Sequence, residues 1–196
     1  MARSDLDQLE TSLRSGNEPF RGTGTSLSLL DYWRCSGSSL MDNTARGMVA
    51  EFLVAAAVGM HKRPRMEWDR YDVRTPSGVT IEVKSAAAIQ SWKQTAPTPI
   101  QFSIGPRQGW DPQTGLYSGQ ARRWADLYVF CALEGTDPLN VDKWQFYVLP
   151  SAVLDESCGT QRTIRLEPLR KLSPPPMRSC YRNLNKIIEE VGAKRE

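Results

Sequence analysis

The sequence predicts an α/β domain built on a mixed β-sheet flanked by helices, with helical extensions at both ends. Three stretches carry that expectation. Residues 71–85, YDVRTPSGVTIEVKS, alternate apolar and polar on either side of a turn. Residues 125–133, ADLYVFCAL, form a nearly continuous apolar run, the pattern of a strand covered on both faces. Residues 45–60 are a run of strong helix formers with Asp42 or Asn43 in front and Gly59 near the end.

The alternating stretch is the most informative. Tyr71 and Val73, then Val79, Ile81 and Val83, repeat with the period of two expected of half-buried strands. Between them Thr75-Pro76-Ser77-Gly78 suits a type I turn: proline presets φ, and glycine takes the left-handed position that closes a three-residue loop. That loop faces Thr75 with Val79, so continuing the register sets Asp72 opposite Glu82. Two carboxylates facing each other repel and weaken a hairpin. Lys84 points to the same face and offsets part of that repulsion. A divalent cation would relieve the rest, because hard carboxylate oxygens are what magnesium prefers. A solvated face on which acids and bases merely alternate is the competing reading of these residues.

Composition limits the alternatives. The chain has 196 residues, 40% of them hydrophobic, enough for one cored domain with arms. No apolar run approaches the roughly 18 residues of a membrane span, and the first residues lack the apolar stretch of a signal peptide. Cys35, Cys131, Cys158 and Cys180 lie far apart and His61 is the single histidine, which argues against a zinc site and for a reduced, cytoplasmic setting. Net charge is +3, and residues 161–196 hold nine Lys/Arg against four Asp/Glu. A basic end on a near-neutral body fits phosphate contacts as well as solvated charge. No glycine-rich nucleotide-binding motif occurs, so no nucleotide cofactor is expected.

In chain order, residues 5–13 read as a short helix with Leu6, Leu9 and Leu13 on one face, residues 14–25 as a loop, and residues 27–33 as another short helix. The helix of residues 45–60 should bury Val49, Phe52, Leu53, Ala56 and Ala57, with Glu51 beside that stripe. After the hairpin, residues 99–104 read as a third strand of the sheet and residues 105–119 as a long loop that could overhang the site. Residues 144–149 are a further strand, 152–159 a short helix or turn, and 163–166 a short strand. Residues 172–176, LSPPP, cannot be helical. A final amphipathic helix over residues 177–191 should dock on the body or on a second subunit, as in a homodimer. The expected division is an N-terminal arm (1–40), a core (41–150) and a C-terminal extension (151–196).

The order Arg46-Gly47-Met48-Val49-Ala50-Glu51, Asp72, Glu82-Val83-Lys84-Ser85 resembles the PD-(D/E)XK nucleases, most closely the Holliday-junction-resolvase-like branch with an R-G-x-x-A-E helix. The motifs span about a quarter of the chain. The resemblance implies a restriction-endonuclease-like fold and Mg²⁺- or Mn²⁺-dependent hydrolysis of phosphodiesters in DNA. Asp72 and Glu82, with help from Glu51, would hold the metal. Lys84 would be catalytic, and Gln90 would position water or substrate. Tyr71 stands where many members have proline, and Asp69 is a rival for the aspartate. Arg46, Trp92, Lys93, Arg122 and Arg123 are candidates for gripping nucleic acid. A protein of the same fold that binds nucleic acid without cutting is the alternative.

Overall fold

A computed structural model describes residues 12–64, 70–111, 116–117 and 119–194. The helix expected over residues 5–13 falls almost wholly outside them, as does Asp69.

The first helix, α1 (Leu29–Gly37), starts two residues later than the sequence suggested. Ser28 caps it by accepting from the Asp31 N–H, and the Asp31 carboxylate in turn accepts from the Ser28 N–H at 2.8 Å. In α2 (Asn43–Ala57), Asp42 is the cap, accepting from the Thr44 and Ala45 N–H groups at 2.9 and 3.3 Å. Just beyond its end, Gly59 takes φ +76°, which only glycine adopts without strain.

The hairpin has the expected register. Strand β1 (Val73–Arg74) runs antiparallel to β2 (Thr80–Ala87), with Val73 opposite Ile81 and Arg74 opposite Thr80. The turn closes through Thr75 N–H to Val79 O at 2.9 Å and Gly78 N–H to Thr75 O at 3.0 Å, with Gly78 at φ +89°. The chain then leaves the sheet for β3 (Gln101–Ser103), β4 (Trp110–Asp111) and β5 (Leu116–Tyr117). It returns as β6 (Leu127–Leu133), parallel to β2, followed by the antiparallel β7 (Trp144–Pro150). Every residue of β6 is buried, which is why its sequence does not alternate.

Beyond β7 come α3 (Ser151–Cys158), β8 (Thr163–Arg165), α4 (Leu166–Arg170), β9 (Met177–Ser179) and α5 (Tyr181–Gly192). Three expectations need correction here. β3 is no part of the main sheet; it pairs with β8 in a separate two-stranded layer. The final helix begins at Tyr181, because Met177–Ser179 adds a strand to β7. That strand completes the five-stranded order β1-β2-β6-β7-β9, so a boundary at Pro150 would cut through the sheet.

One face of the sheet packs Ile81, Val83, Val129, Phe146 and Val148 against Ala50, Leu53 and Val54 of α2 and Leu184, Ile188 and Val191 of α5. The final helix thus docks on the body. The other face packs Phe130, Tyr147 and Leu149 against Phe102, Ile104, Ile164, Val153 and Leu154. Each such side chain contributes roughly 1.5–3 kcal/mol when fully buried, which far outweighs weak local propensity in the short strands β3 and β8. The buried side of α2 is rotated from the expected stripe: Arg46, Ala50, Leu53 and Val54 face in, and Phe52 is 56% exposed. Among the described residues, no helix is long and apolar enough to cross a membrane, and Cys35, Cys131, Cys158 and Cys180 are all free thiols.

Candidate active site

The site grows from the place where β1 stops. Residue by residue toward its start, β1 gives out before it can pair with Val83, leaving that N–H of β2 in need of an acceptor. The Asp72 side chain supplies it: the Val83 N–H donates to Asp72 Oδ2 at 2.7 Å. Asp72 is thereby pinned at the edge of the sheet, its own N–H donating to Ile81 O at 2.9 Å, and its charge reaches Glu82.

Glu82 is 3% exposed. Lys84 Nζ lies 2.5 Å from its Oε1, and Arg107 Nη2 lies 2.6 Å from its Oε2. Burial pushes the Glu82 carboxyl above its ordinary range and the neighbouring Asp72 charge pushes the same way, while Lys84 and Arg107 pull it back. An acid under opposing influences of this kind is a hallmark of functional sites. Tyr128 stands opposite Glu82 across the β2–β6 pair, and burial followed by the Glu82 charge raises its hydroxyl far above the ordinary range.

The sheet divides the surroundings of these residues in two. On the α2 side, Glu51, Asp72, His61 and Tyr71 line one groove of ≈ 550 Å³. The charges of both Asp72 and Glu51 reach the buried thiol of Cys131, whose pKa is raised first by burial and then by these two acids. On the opposite side, Glu82, Lys84, Arg107, Tyr128 and Arg162 line a second cavity of ≈ 550 Å³. Lys84 therefore contacts Glu82, the Asp72 charge reaches Glu82 from the sheet edge, and Glu51 lines the same groove as Asp72. Among the described residues, no three His, Cys, Asp or Glu side chains converge as a ready-made cage. Two hard carboxylates, the charge of Asp72 adding to the cost of ionising Glu82, could nevertheless hold Mg²⁺. That ion is commonly held through one or two carboxylates and completed by water and substrate phosphates.

Arg107 was not among the sequence candidates. It sits in the long loop 25 residues beyond Glu82, and no spacing rule links the two. Its backbone is clamped to Arg122 by paired hydrogen bonds of 3.1 and 3.0 Å, and Trp124 Nε1 donates to the Arg107 carbonyl at 2.8 Å.

Residues 25–163 match the family described as bacteriophage T4 endonuclease IV, well over half of the chain. The chain belongs to that endonuclease family. Among solved structures it is similar to "a bacterial homing endonuclease: I-Ssp6803I", at 17% identity and a TM-score of 0.41 over 78% of this chain and 97% of the other. No curated protein matches it.

In this member of the endonuclease IV family, several sequence candidates turn out to be committed elsewhere. Arg46 is 4% exposed on the core side of α2 and donates to Met41 O and Asn43 Oδ1, at 3.1 and 2.6 Å. Arg123 is 6% exposed and donates to Ile104 O, Asp155 Oδ1 and Gly159 O at 2.9, 2.6 and 3.0 Å. Neither guanidinium is available to a phosphate; both tie loops to the body. Gln90 donates through Nε2 to Ala87 O at 2.7 Å, and its N–H donates to Gln94 Oε1 at 2.7 Å. It fastens the turn after β2, and it lines neither the groove nor the cavity. Arg122 stacks over the Trp124 ring at 3.9 Å, with Arg70 over the same ring at 4.7 Å. Trp92 and Lys93 are exposed in the loop beyond β2 and line neither the groove nor the cavity.

Proposed function

We propose that this chain is a divalent-metal-dependent endodeoxyribonuclease of the PD-(D/E)XK type, cutting DNA at the sheet edge formed by Asp72, Glu82 and Lys84. The observation that carries this reading is Glu82, a buried carboxylate set beside a second acid and a lysine in a chain of an endonuclease family. Burying such a charge costs several kcal/mol that a hydrophobic residue would avoid, so its presence calls for a role.

Asp72 and Glu82 would hold Mg²⁺ or Mn²⁺, which when bound would neutralise charge and make water easier to deprotonate for attack on phosphorus. Lys84, drawn against Glu82, would orient the attacking water or stabilise negative charge gathering on the phosphate. Glu51 would assist from the groove that it lines together with Asp72. The deep position of Glu82 keeps bulk water away and strengthens each of these electrostatic effects.

The test is cleavage of plasmid and oligonucleotide DNA with Mg²⁺, Mn²⁺ or Ca²⁺, using Glu82→Gln as the paired control. Cutting should require Mg²⁺ or Mn²⁺ and be lost with Ca²⁺ and in the variant. Parental activity in Glu82→Gln would reject the assignment.

A further inference from the structure

The cavity on the far side of Glu82 has more positive charge than the cut itself requires. Lys84, Arg107 and Arg162 line it, and Glu82 is the sole acid among its described lining residues. Glu82 is already shared between Lys84 and Arg107. Among the described residues, no ion pair engages the Arg162 guanidinium, and its residue is exposed at the cavity mouth. Hydroxyls of Ser103 and Thr163 stand beside it on the β3–β8 layer.

The backbone around both arginines is built rather than loose. The N–H groups of Ile104 and Gly105 donate to Arg162 O at 2.9 and 3.2 Å. A Cβ at Gly105 would come within 3.3 Å of the Arg162 Cα, so glycine allows that approach. Two residues on, Arg107 is fixed by Arg122 and Trp124, and a Cβ at Gly109 would collide with the Trp124 ring at 2.7 Å. The two anchors thus fix both Cα positions and leave the guanidinium groups to reach into one polar space. A forked guanidinium presents paired donors that match phosphate oxygens better than a single carboxylate oxygen does.

We infer that Arg107 and Arg162 form a subsite for a DNA backbone phosphate, next along the strand from the bond that is cut. A phosphate seated there competes with Glu82 for Arg107 and so leaves Glu82 Oε2 open when a strand is bound. The subsite rests on the proposed nuclease reading only for its biological purpose; the binding itself needs neither metal nor catalysis.

The experiment measures affinity of the full chain for labelled mixed-sequence duplex and single-stranded DNA in EDTA, over a series of salt concentrations. The forms compared are the parent, Arg162→Ala, Arg107→Ala/Arg162→Ala and Arg107→Lys/Arg162→Lys, each with its melting temperature. The double alanine variant should bind roughly tenfold more weakly, with a salt slope smaller by about 0.7 to 0.9 for the phosphate no longer neutralised. The double lysine variant keeps the charge and should recover most of the slope. Parental affinity and slope in a folded double alanine variant overturn the proposal. Should that variant not fold, Arg162→Ala alone decides, since Arg162 takes part in no described ion pair: parental affinity there overturns it equally. Absence of cutting by the parent with every metal would sink the nuclease reading, and parental cutting by Glu82→Gln its assignment to Glu82. Either would leave these curves unchanged, so the failures are distinguishable.

Discussion

Asp72 accepts the Val83 N–H at 2.7 Å, and that single bond makes the end of a strand into the start of a site. The carboxylate completes the ladder where β1 gives out and is held beside Glu82 by the same act. The pairing has a cost, since Asp72 raises the pKa of its neighbour. Structure and chemistry therefore compete for one side chain, and substitutions at these positions should separate them.

The first prediction concerns metal. A cation that binds only the folded chain stabilises it, by about 2.7 kcal/mol at a hundredfold excess over Kd. Mn²⁺ should raise the melting temperature of the parent and leave Glu82→Gln unaffected. Asp72→Asn should lose the response as well, while its amide oxygen still accepts from Val83. Identical Mn²⁺ responses in all three proteins would exclude Asp72 and Glu82 as ligands.

Lys84→Ala should separate binding from cutting. Cleavage should fall by roughly 10²–10³, the usual effect of removing one group that stabilises transition-state charge. The Mn²⁺ response should persist, because the lysine competes with the cation for Glu82 Oε1 instead of holding it. Near-normal cleavage by Lys84→Ala would remove the lysine from the chemistry.

The raised pKa of Glu82 fixes the sign of two pH effects. Between the ordinary value of 4.5 and its higher folded value, the native chain holds the proton more tightly than the unfolded chain. Stability drawn from this group is present at low pH and is lost as pH rises through that window. In the metal-free chain the Glu82 carboxyl should therefore titrate above the ordinary glutamate range, and Arg107→Ala, which removes a cation that pulls the pKa down, should move it further up. Stability against pH in EDTA, for parent, Arg107→Ala and Glu82→Gln, checks both, and a parental pH dependence that Glu82→Gln leaves unchanged would contradict the assignment to Glu82.

Arg123→Ala should act on the fold and not on DNA. It strands the Ile104 and Gly159 carbonyls and removes the partner of Asp155, for a loss of about 3 kcal/mol. Denaturant melts should show that loss, while the salt slope of DNA binding stays parental. A changed slope in a stable variant would return Arg123 to the binding surface.

Much of the fold was legible because local chemistry set it. The Thr75–Gly78 turn admits one register, which the structure shows at Val73–Ile81 and Arg74–Thr80, while the Asp72 N–H turns to Ile81 O instead of continuing it to Glu82. The Asp42 cap and Gly59 bounded α2. What escaped depended on contacts distant in sequence. Arg46 looks exposed by charge, yet it turns inward to satisfy Met41 and Asn43, so the buried stripe of α2 rotates away from Phe52. Met177–Ser179 continues an amphipathic pattern into α5 and becomes a strand only because the outer edge of β7 is open to it. Arg107 reaches Glu82 through a loop anchored by Arg122 and Trp124, and nothing in its neighbours announces that.

The layer over the Glu82 cavity joins β3 to β8, whose residues Thr163–Arg165 lie far downstream of the acids they cover. During synthesis at about 5–20 residues per second, a nascent chain carries Asp72, Glu82 and Lys84 for several seconds before Arg162 and β8 leave the ribosome. The hairpin and its acids can form early, but the strand that shelters them arrives late. A ribosome-bound chain ending before Thr163 would expose Glu82 without its cover, so the cavity is complete only once β8 has emerged.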